Sequence, residues 1–413
     1  MADLDRRISD YTAALLLGYF RQSVKLGASD PRVDPQRDRD LLMMHWAISS
    51  AVFDFLEYIR AHPYEAESLF DLRRTTSDGF VRGRIDARAT VLAQAMSGNT
   101  ALTVSDEPTR SFETGPNSLV AWVVRAALRE TGRFRDLHGE EAEIGYFSAV
   151  ERLRRHVAKI RRMDPFNHLL HGRTSRRRPG TSIRREARRS RKTIYRLAGR
   201  AYDLYLGVEK GDPDAIRTIL HDTLSGPFRP WRTFELGAAL AIGEALSDAT
   251  RAPLVIEHIT PGVAGPVVRC GHFAIYWQSK THLYVAPAEE PSEAKRRIAL
   301  LAYGMDPGAD RPDLVVVDDR IDQVAAVVEV KHSLGDSAAT RFGEAVDQVV
   351  RYSRGYRSTP SGVDDLISRS LVLLSAGAPA QKVPALPAPA AADFDLIQQG
   401  ALHPWVRHSL LGN

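Results

Sequence analysis

The sequence predicts an α+β protein of several domains, on three observations. Its 413 residues, 44% of them hydrophobic, can bury two or more ordinary cores. Apolar residues recur every three or four positions in some stretches and form short alternating or unbroken runs in others, the marks of helices and strands in one chain. Charge is segregated: the 45 positions from Arg152 to Arg196 hold 17 Lys/Arg and two acids, Asp164 and Glu186, a local +15 in a chain of net charge +5. The remainder is therefore about −10, the asymmetry expected of a polyanion-binding surface on an otherwise acidic protein.

The same composition excludes disorder, collagen and small disulfide scaffolds. A single cysteine, Cys270, permits no internal disulfide, and without a Cys/His cluster no structural zinc site is expected. No run of about 18 uncharged apolar residues occurs, and Met1-Ala2-Asp3-Leu4-Asp5-Arg6-Arg7 lacks the apolar core of a signal peptide. A soluble, cytoplasmic protein without a membrane partner is expected.

Residues 1–130 read as an N-terminal α+β module, suited to recognition of a partner or of DNA. Helices fill 1–70, with Leu42, Trp46, Phe53, Leu56 and Ile59 as an apolar stripe. Short strands follow at Phe80–Asp86 and Ala101–Val104, with Ser97-Gly98-Asn99 supplying turn chemistry. Asn117 can cap a helix running through Leu119, Trp122, Val123 and Leu128.

Residues 131–225 read as a basic helical region. Ile144, Phe147, Val150, Leu153, Val157 and Ile160 mark one packed helix face, and Ile194, Leu197, Ala198, Ala201, Tyr202 and Tyr205 mark another. Between them, Arg173 to Arg191 with its Arg-Arg-Arg-Pro-Gly reads as a flexible basic segment; taken alone, a solvated linker explains that run equally well. The packed flanks favour nucleic acid. Contacts are expected from Arg154, Arg155, Lys159 and Arg162, from Arg176, Arg177, Arg178, Arg184 and Arg185, and from Arg188, Arg189, Arg191 and Lys192. They would follow a phosphate backbone without reading bases.

From Pro230 the pattern becomes helix, strands, helix, strand, giving a third domain over 226–375, and 376–413 reads as an Ala/Pro-rich linker with a short final segment. The chemistry lies in Pro312-Asp313 and Glu329-Val330-Lys331. Two apolar runs, Leu314–Val317 and Val324–Val328, should pair antiparallel as a buried hairpin. Setting Asp318 opposite Val324 brings Asp313 across from Glu329, and Lys331, two residues on, shares the face of Glu329. A lone Glu-x-Lys is usually a solubilising pair at a strand end; Pro-Asp at the reciprocal position favours function. Desolvated carboxylates are stable only when paired or metal-bound, and oxygen ligands suit Mg²⁺ (or Mn²⁺). With Lys331 holding a water or a developing anion, this is a phosphodiester-hydrolysing set. On the following helix Phe342, Ala345, Val346 and Val349 mark the packed side, while Glu344, Gln348 and Tyr352 form a second stripe from which Gln348 and Tyr352 can orient water or phosphate.

Pro312-Asp313, Glu329-x-Lys331 and Gln348-x-x-x-Tyr352 together resemble the PD-(D/E)xK nuclease superfamily, in the version whose helix carries Q-x-x-x-Y. The resemblance implies a restriction-endonuclease-like mixed sheet flanked by helices, with a Glu from the preceding helix completing the metal shell. Trp231-Arg232-Thr233-Phe234-Glu235-Leu236 resembles the aromatic-Glu motif of McrC-like restriction subunits and nominates Glu235. Glu244 is about 180° round the same helix, so both cannot face one site. Gly83-Arg84-Ile85-Asp86, Arg88-Ala89-Thr90-Val91 and Pro108 to Asn117 are similar to the McrC pattern ahead of its basic helices. Asp86, 243 residues before Glu329, is a poorer ligand candidate than Asp313. Glu329 stands where McrC proteins commonly carry Asp.

Neither G-x-x-x-x-G-K-[ST], H-E-x-x-H nor G-x-S-x-G occurs. Nucleotide-driven work would need a partner, and the resemblance implies an AAA+ or helicase-type NTPase in trans. The expected function is a Mg²⁺-dependent DNA endonuclease of a bacterial restriction or anti-phage system. The alternatives are a non-catalytic DNA-binding or scaffold subunit and an RNA nuclease.

Overall fold

A computed structural model describes residues 2–26, 35–143, 146–171, 177–225, 229–259, 261–285, 291–303, 311–332, 338–356, 362–381 and 387–412. The fold is α+β, as expected, but its two compact units are not consecutive segments. One consists of Met1–His45, Gly132–Ser148 and Gly207–Asn413, the other of Trp46–Thr131 and Ala149–Leu206. Among the described residues no helix is long and apolar enough to cross a membrane.

In the unit of Trp46–Thr131 and Ala149–Leu206, strands β1 (Leu69–Asp78), β2 (Arg84–Ile85) and β3 (Leu102–Ser111) form an antiparallel sheet with β3 in the middle. The sequence marked β3 only by its first residues, and most of β1 falls between the helices expected up to residue 70 and the strand expected from Phe80. Only two residues of the expected strand at 80–86 pair. Gly83 precedes them at φ +85°, and a Cβ there would collide with the Asp106 carbonyl.

The helical part of this unit is held by interlocked aromatics. Trp122 meets Tyr202 and Tyr205 edge-on, with ring centroids 4.8 and 4.9 Å apart, and Trp46 Nε1 donates to Ala201 O at 2.8 Å. Asn117 is not a cap. The helix Gly115–Glu143 starts before it, and Thr114 Oγ1 accepts from Asn117 N at 3.3 Å in the capping role. Asn117 turns inward instead: Nδ2 donates to Glu67 O and Phe112 O, and Oδ1 accepts from Tyr195 OH at 2.7 Å. Burial with every partner in place suits a structural asparagine.

In the other unit, β4 (Leu254–Ile256), β5 (Pro266–Cys270), β6 (Phe273–Trp277), β7 (Leu314–Asp318), β8 (Gln323–Lys331), β9 (Leu371–Leu374) and β10 (Ala390–Asp393) form a seven-stranded sheet in the order β10-β9-β8-β7-β6-β5-β4. From β4 to β8 neighbours are antiparallel, while β9 and β10 continue parallel to β8. Every residue of β7 is buried, which explains an unbroken apolar run where a half-exposed strand would alternate. Val315, Val317 and Val327 pack with Tyr352 of the helix Ala338–Gly355, with Tyr356 just beyond its end, and with Leu366 of the helix Gly362–Arg369.

Two features explain why this unit reaches beyond the expected 226–375. The helix Ala2–Leu26 lies along the helix Pro230–Thr250, where Thr12 Oγ1 donates to Thr233 O at 3.2 Å and Gly237 leaves no room for a Cβ beside Thr12. The Ala/Pro-rich tail is not merely a linker, since Ala390–Asp393 pairs with β9 and Trp405 Nε1 donates to Arg369 O at 3.1 Å. The expected boundary at 130/131 falls inside the helix Gly115–Glu143.

A candidate active site on the central hairpin

The hairpin β7–β8 brings Asp313 and Glu329 together by a route slightly different from the expected one. At its closed end Asp318 pairs with Gln323 and Val317 with Val324, so the anticipated pairing of Asp318 with Val324 does not occur. A bulge between Val316 and Val317 then adds one residue on the β8 side, and Val316 pairs with Ala326 and Leu314 with Val328. The shift restores the register in which Asp313 stands across from Glu329.

Asp313 N donates to Glu329 Oε1 at 3.3 Å, and Asp313 Oδ2 accepts from Val330 N at 2.9 Å. Lys331 Nζ lies 3.0 Å from Glu329 Oε2 and 3.6 Å from Asp313 Oδ2. Glu329 is only 1% exposed, so its charge is almost wholly desolvated. Glu235 is 3% exposed, and its Oε2 accepts from Trp277 Nε1 at 2.7 Å and from Gln278 Nε2 at 2.8 Å. The rival Glu244 is exposed on the same helix. An open cleft of about 390 Å³ is lined by Glu235, Asp313, Lys331, Gln348 and Tyr352, together with Trp231, Gln278, Arg311, Val330, His332 and Arg341.

Burial pushes the carboxyls of Glu235 and Glu329 well above the usual range, and the charge on Asp313 pushes them further. Lys331 counteracts this at both. Burial lowers the proton affinity of Lys331 itself, but Glu329 and Asp313 outweigh it and hold the ammonium above its ordinary value. Three carboxyls thus crowd one ammonium, and a bound cation would favour their ionised forms.

Gln348 carries a buried Oε1 with no hydrogen-bond partner, an acceptor available to a metal-bound water. Tyr352 is buried, and its hydroxyl accepts from Arg351 at 3.2 Å. Glu344, on the expected stripe, is exposed and pairs with Arg341 at 2.9 Å. Among the described residues no group of three or more His, Cys, Asp or Glu is spaced to hold a metal ion outright. Mg²⁺ keeps several waters and needs only one or two carboxylates plus substrate phosphate; Asp313 and Glu329 meet that requirement, and the orphaned Gln348 oxygen is consistent with it.

Trp277, Gln278 and Arg311 were not singled out by the sequence. The available signal was the abrupt end of an aromatic strand in Gln278-Ser279-Lys280-Thr281. Asp86, set aside as a ligand, caps the helix Ala87–Ser97 by accepting from Ala89 N at 3.0 Å and pairs with Arg74 at 2.6 Å.

Of the basic residues expected to contact nucleic acid, Arg176 lies outside the described residues. The Arg-rich run is not a plain linker, because Thr181–Arg189 is a helix with Ala187 buried. Arg184 and Arg188 both pair with Asp203, Arg154 lies 3.5 Å from Glu151, and Lys192 lies 3.4 Å from Glu67. Arg155, Lys159, Arg162, Arg177, Arg178, Arg185, Arg189 and Arg191 are exposed.

No family model and no curated protein matches the chain. Among solved structures it is similar to a chain of the Thermococcus gammatolerans assembly of McrB AAA+ hexamers with bound McrC, at 12% identity over 98% of this chain and 76% of that one, with a TM-score of 0.24. A likeness of that size carries no argument about fold or activity.

Proposed function

We propose that the chain is a Mg²⁺- or Mn²⁺-dependent endonuclease with a PD-(D/E)xK site that hydrolyses phosphodiester bonds of DNA. The observation that carries this reading is the convergence of Asp313, Glu329 and Lys331 at the open end of a buried hairpin, with Asp313 and Lys331 lining a cleft. Solubility alone needs no buried Glu, and a purely structural ion pair needs no third acid beside it.

In this reading Asp313 and Glu329 hold the metal and Glu235 adds the third carboxylate. A bound divalent ion supplies a water of lowered pKa and charge stabilisation at the phosphate oxygens. Lys331, held cationic by its two acids, orients the nucleophilic water or neutralises the developing anion. Gln348 and Tyr352 position water or phosphate from the next helix. The exposed arginines of the helices Phe147–Ile160 and Thr181–Arg189 supply backbone attraction. Service in restriction or anti-phage defence, with an AAA+ or helicase-type partner, rests on the McrC-like motif resemblance alone.

Incubation with plasmid, single-stranded DNA and RNA in Mg²⁺ tests the proposal, with Lys331→Ala as control. Cleavage of DNA that EDTA stops and Lys331→Ala lacks supports it. Equal DNA binding with no cutting by either protein favours the non-catalytic scaffold reading, and preferential loss of the RNA favours the RNA nuclease.

A further inference from the structure

We infer that Gln278 is a positioning residue of this site, one that links the Glu235 carboxylate to the Arg311 guanidinium and so sets where the third acid and one of the cleft's cations point. The inference rests on the nuclease reading and adds to it the device that aims two of its groups.

Four observations carry it. Gln278 is 7% exposed and directly follows β6. Both ends of its amide are used: Nε2 donates to Glu235 Oε2 at 2.8 Å, and Oε1 accepts from Arg311 at 3.3 Å. The amide can sit only this way round, since the reverse would set oxygen against a carboxylate and NH₂ against a guanidinium. Its backbone N donates to Asp313 O at 2.8 Å, so one residue touches the strand of the first acid, the side chain of the third, and the arginine at the cleft.

The backbone is the fourth observation. Gln278 has φ +46°, a region where a side chain is strained and glycine is not. Retaining glutamine there places the amide where both partners reach it, the pattern of strain held at functional sites. Trp277 Nε1 donates to the same Glu235 oxygen at 2.7 Å. Both donors take Oε2, so neither occupies Oε1. Arg311, at the cleft rim beside Pro312-Asp313, is suited to a phosphate oxygen of the substrate.

The test is calorimetric Mn²⁺ titration of the whole protein together with steady-state DNA cleavage, on wild type, Gln278→Met and Arg311→Ala. Gln278→Met keeps the volume and removes both hydrogen-bonding ends. It should bind Mn²⁺ about 10- to 100-fold more weakly, the usual effect of losing a residue that orients a ligand. At saturating Mn²⁺ its kcat should recover while its KM for DNA stays raised. Arg311→Ala should raise KM alone and leave Mn²⁺ affinity unchanged, a split that a residue serving only packing would not produce. If Gln278→Met does not fold, Gln278→Gly, free of strain at this φ, answers the same question. Wild-type Mn²⁺ affinity in the folded variant overturns the inference and leaves the nuclease reading standing. Absence of Mn²⁺ binding by the wild type overturns the nuclease reading, and the inference with it.

Discussion

At the residue scale the site is a cluster of charges whose folded cost is visible. Glu235 and Glu329 hold their protons more tightly than free carboxyls because they are buried beside Asp313. A carboxyl whose folded pKa is raised contributes most to stability below its unfolded pKa, and that contribution is lost as pH rises through the folded value. The metal-free protein should therefore lose stability as pH rises from about 4 through the raised folded values of these groups. Glu235→Gln removes one of the charges while keeping an acceptor for Trp277 and Gln278. It should raise the stability of the metal-free protein at pH 8 by on the order of 1 kcal/mol, with the gain shrinking as pH falls, in urea melts at several pH values. It should also weaken metal binding. A variant that is less stable at pH 8, or whose effect is independent of pH, would show that Glu235 is not held as a strained acid. Because these carboxyls must ionise to bind metal, Mn²⁺ titrations in buffers of different ionisation enthalpy should register proton release.

Most of these residues were legible because the chemistry is local in sequence. Asp313, Glu329 and Lys331 sit on one hairpin, and period-two geometry relates them without further knowledge of the fold. Gln348 and Tyr352 follow from helical spacing. Gln278 and Arg311 were not legible as a pair, because their meeting depends on where the end of β6 falls against the start of β7, which no periodicity encodes.

At the element scale the decisive feature is the bulge in β8. The sequence implied the correct register at Asp313 from an incorrect one at the turn, and the residue inserted at the bulge reconciles the two. Deleting Val327, between the bulge and Glu329, should move Glu329 and Lys331 by one position relative to β7, turning both to the opposite face of the sheet. Thermal melts should show a destabilisation of several kcal/mol, as expected for charges forced into a packed layer, and Mn²⁺ binding should vanish. Retention of Mn²⁺ binding by the deletion variant would mean the register does not place the acids. The basic helices permit a separate test. Arg185→Ala with Arg189→Ala should flatten the salt dependence of DNA binding, each lost phosphate contact lowering the slope by about 0.9. An unchanged slope would remove that helix from the interface. Its existence was hidden in the sequence because six arginines between Arg184 and Arg196 mask a short apolar face reduced to Ile183 and Ala187.

For the molecule as a whole, the non-consecutive units explain why the domain boundaries were the least legible feature. Helix periodicity identifies a packed face but not the partner it packs on. The helix Ala2–Leu26 therefore gave no sign of lying along Pro230–Thr250, and an Ala-rich tail gave little sign of closing a sheet edge. Truncation after residue 387 removes β10 and Trp405 and should leave an aggregation-prone sheet edge; a soluble truncation with the wild-type melting temperature would restore the linker reading.

The most direct measurement of the central claim is single-turnover cleavage of a preformed DNA complex, started by adding Mg²⁺ and followed for the wild type and Asp313→Asn. A burst of cleaved strand from the wild type and none from the equally well bound variant is expected. Cleavage by Asp313→Asn at the wild-type rate, or a fully bound wild type that leaves the DNA intact, would contradict it.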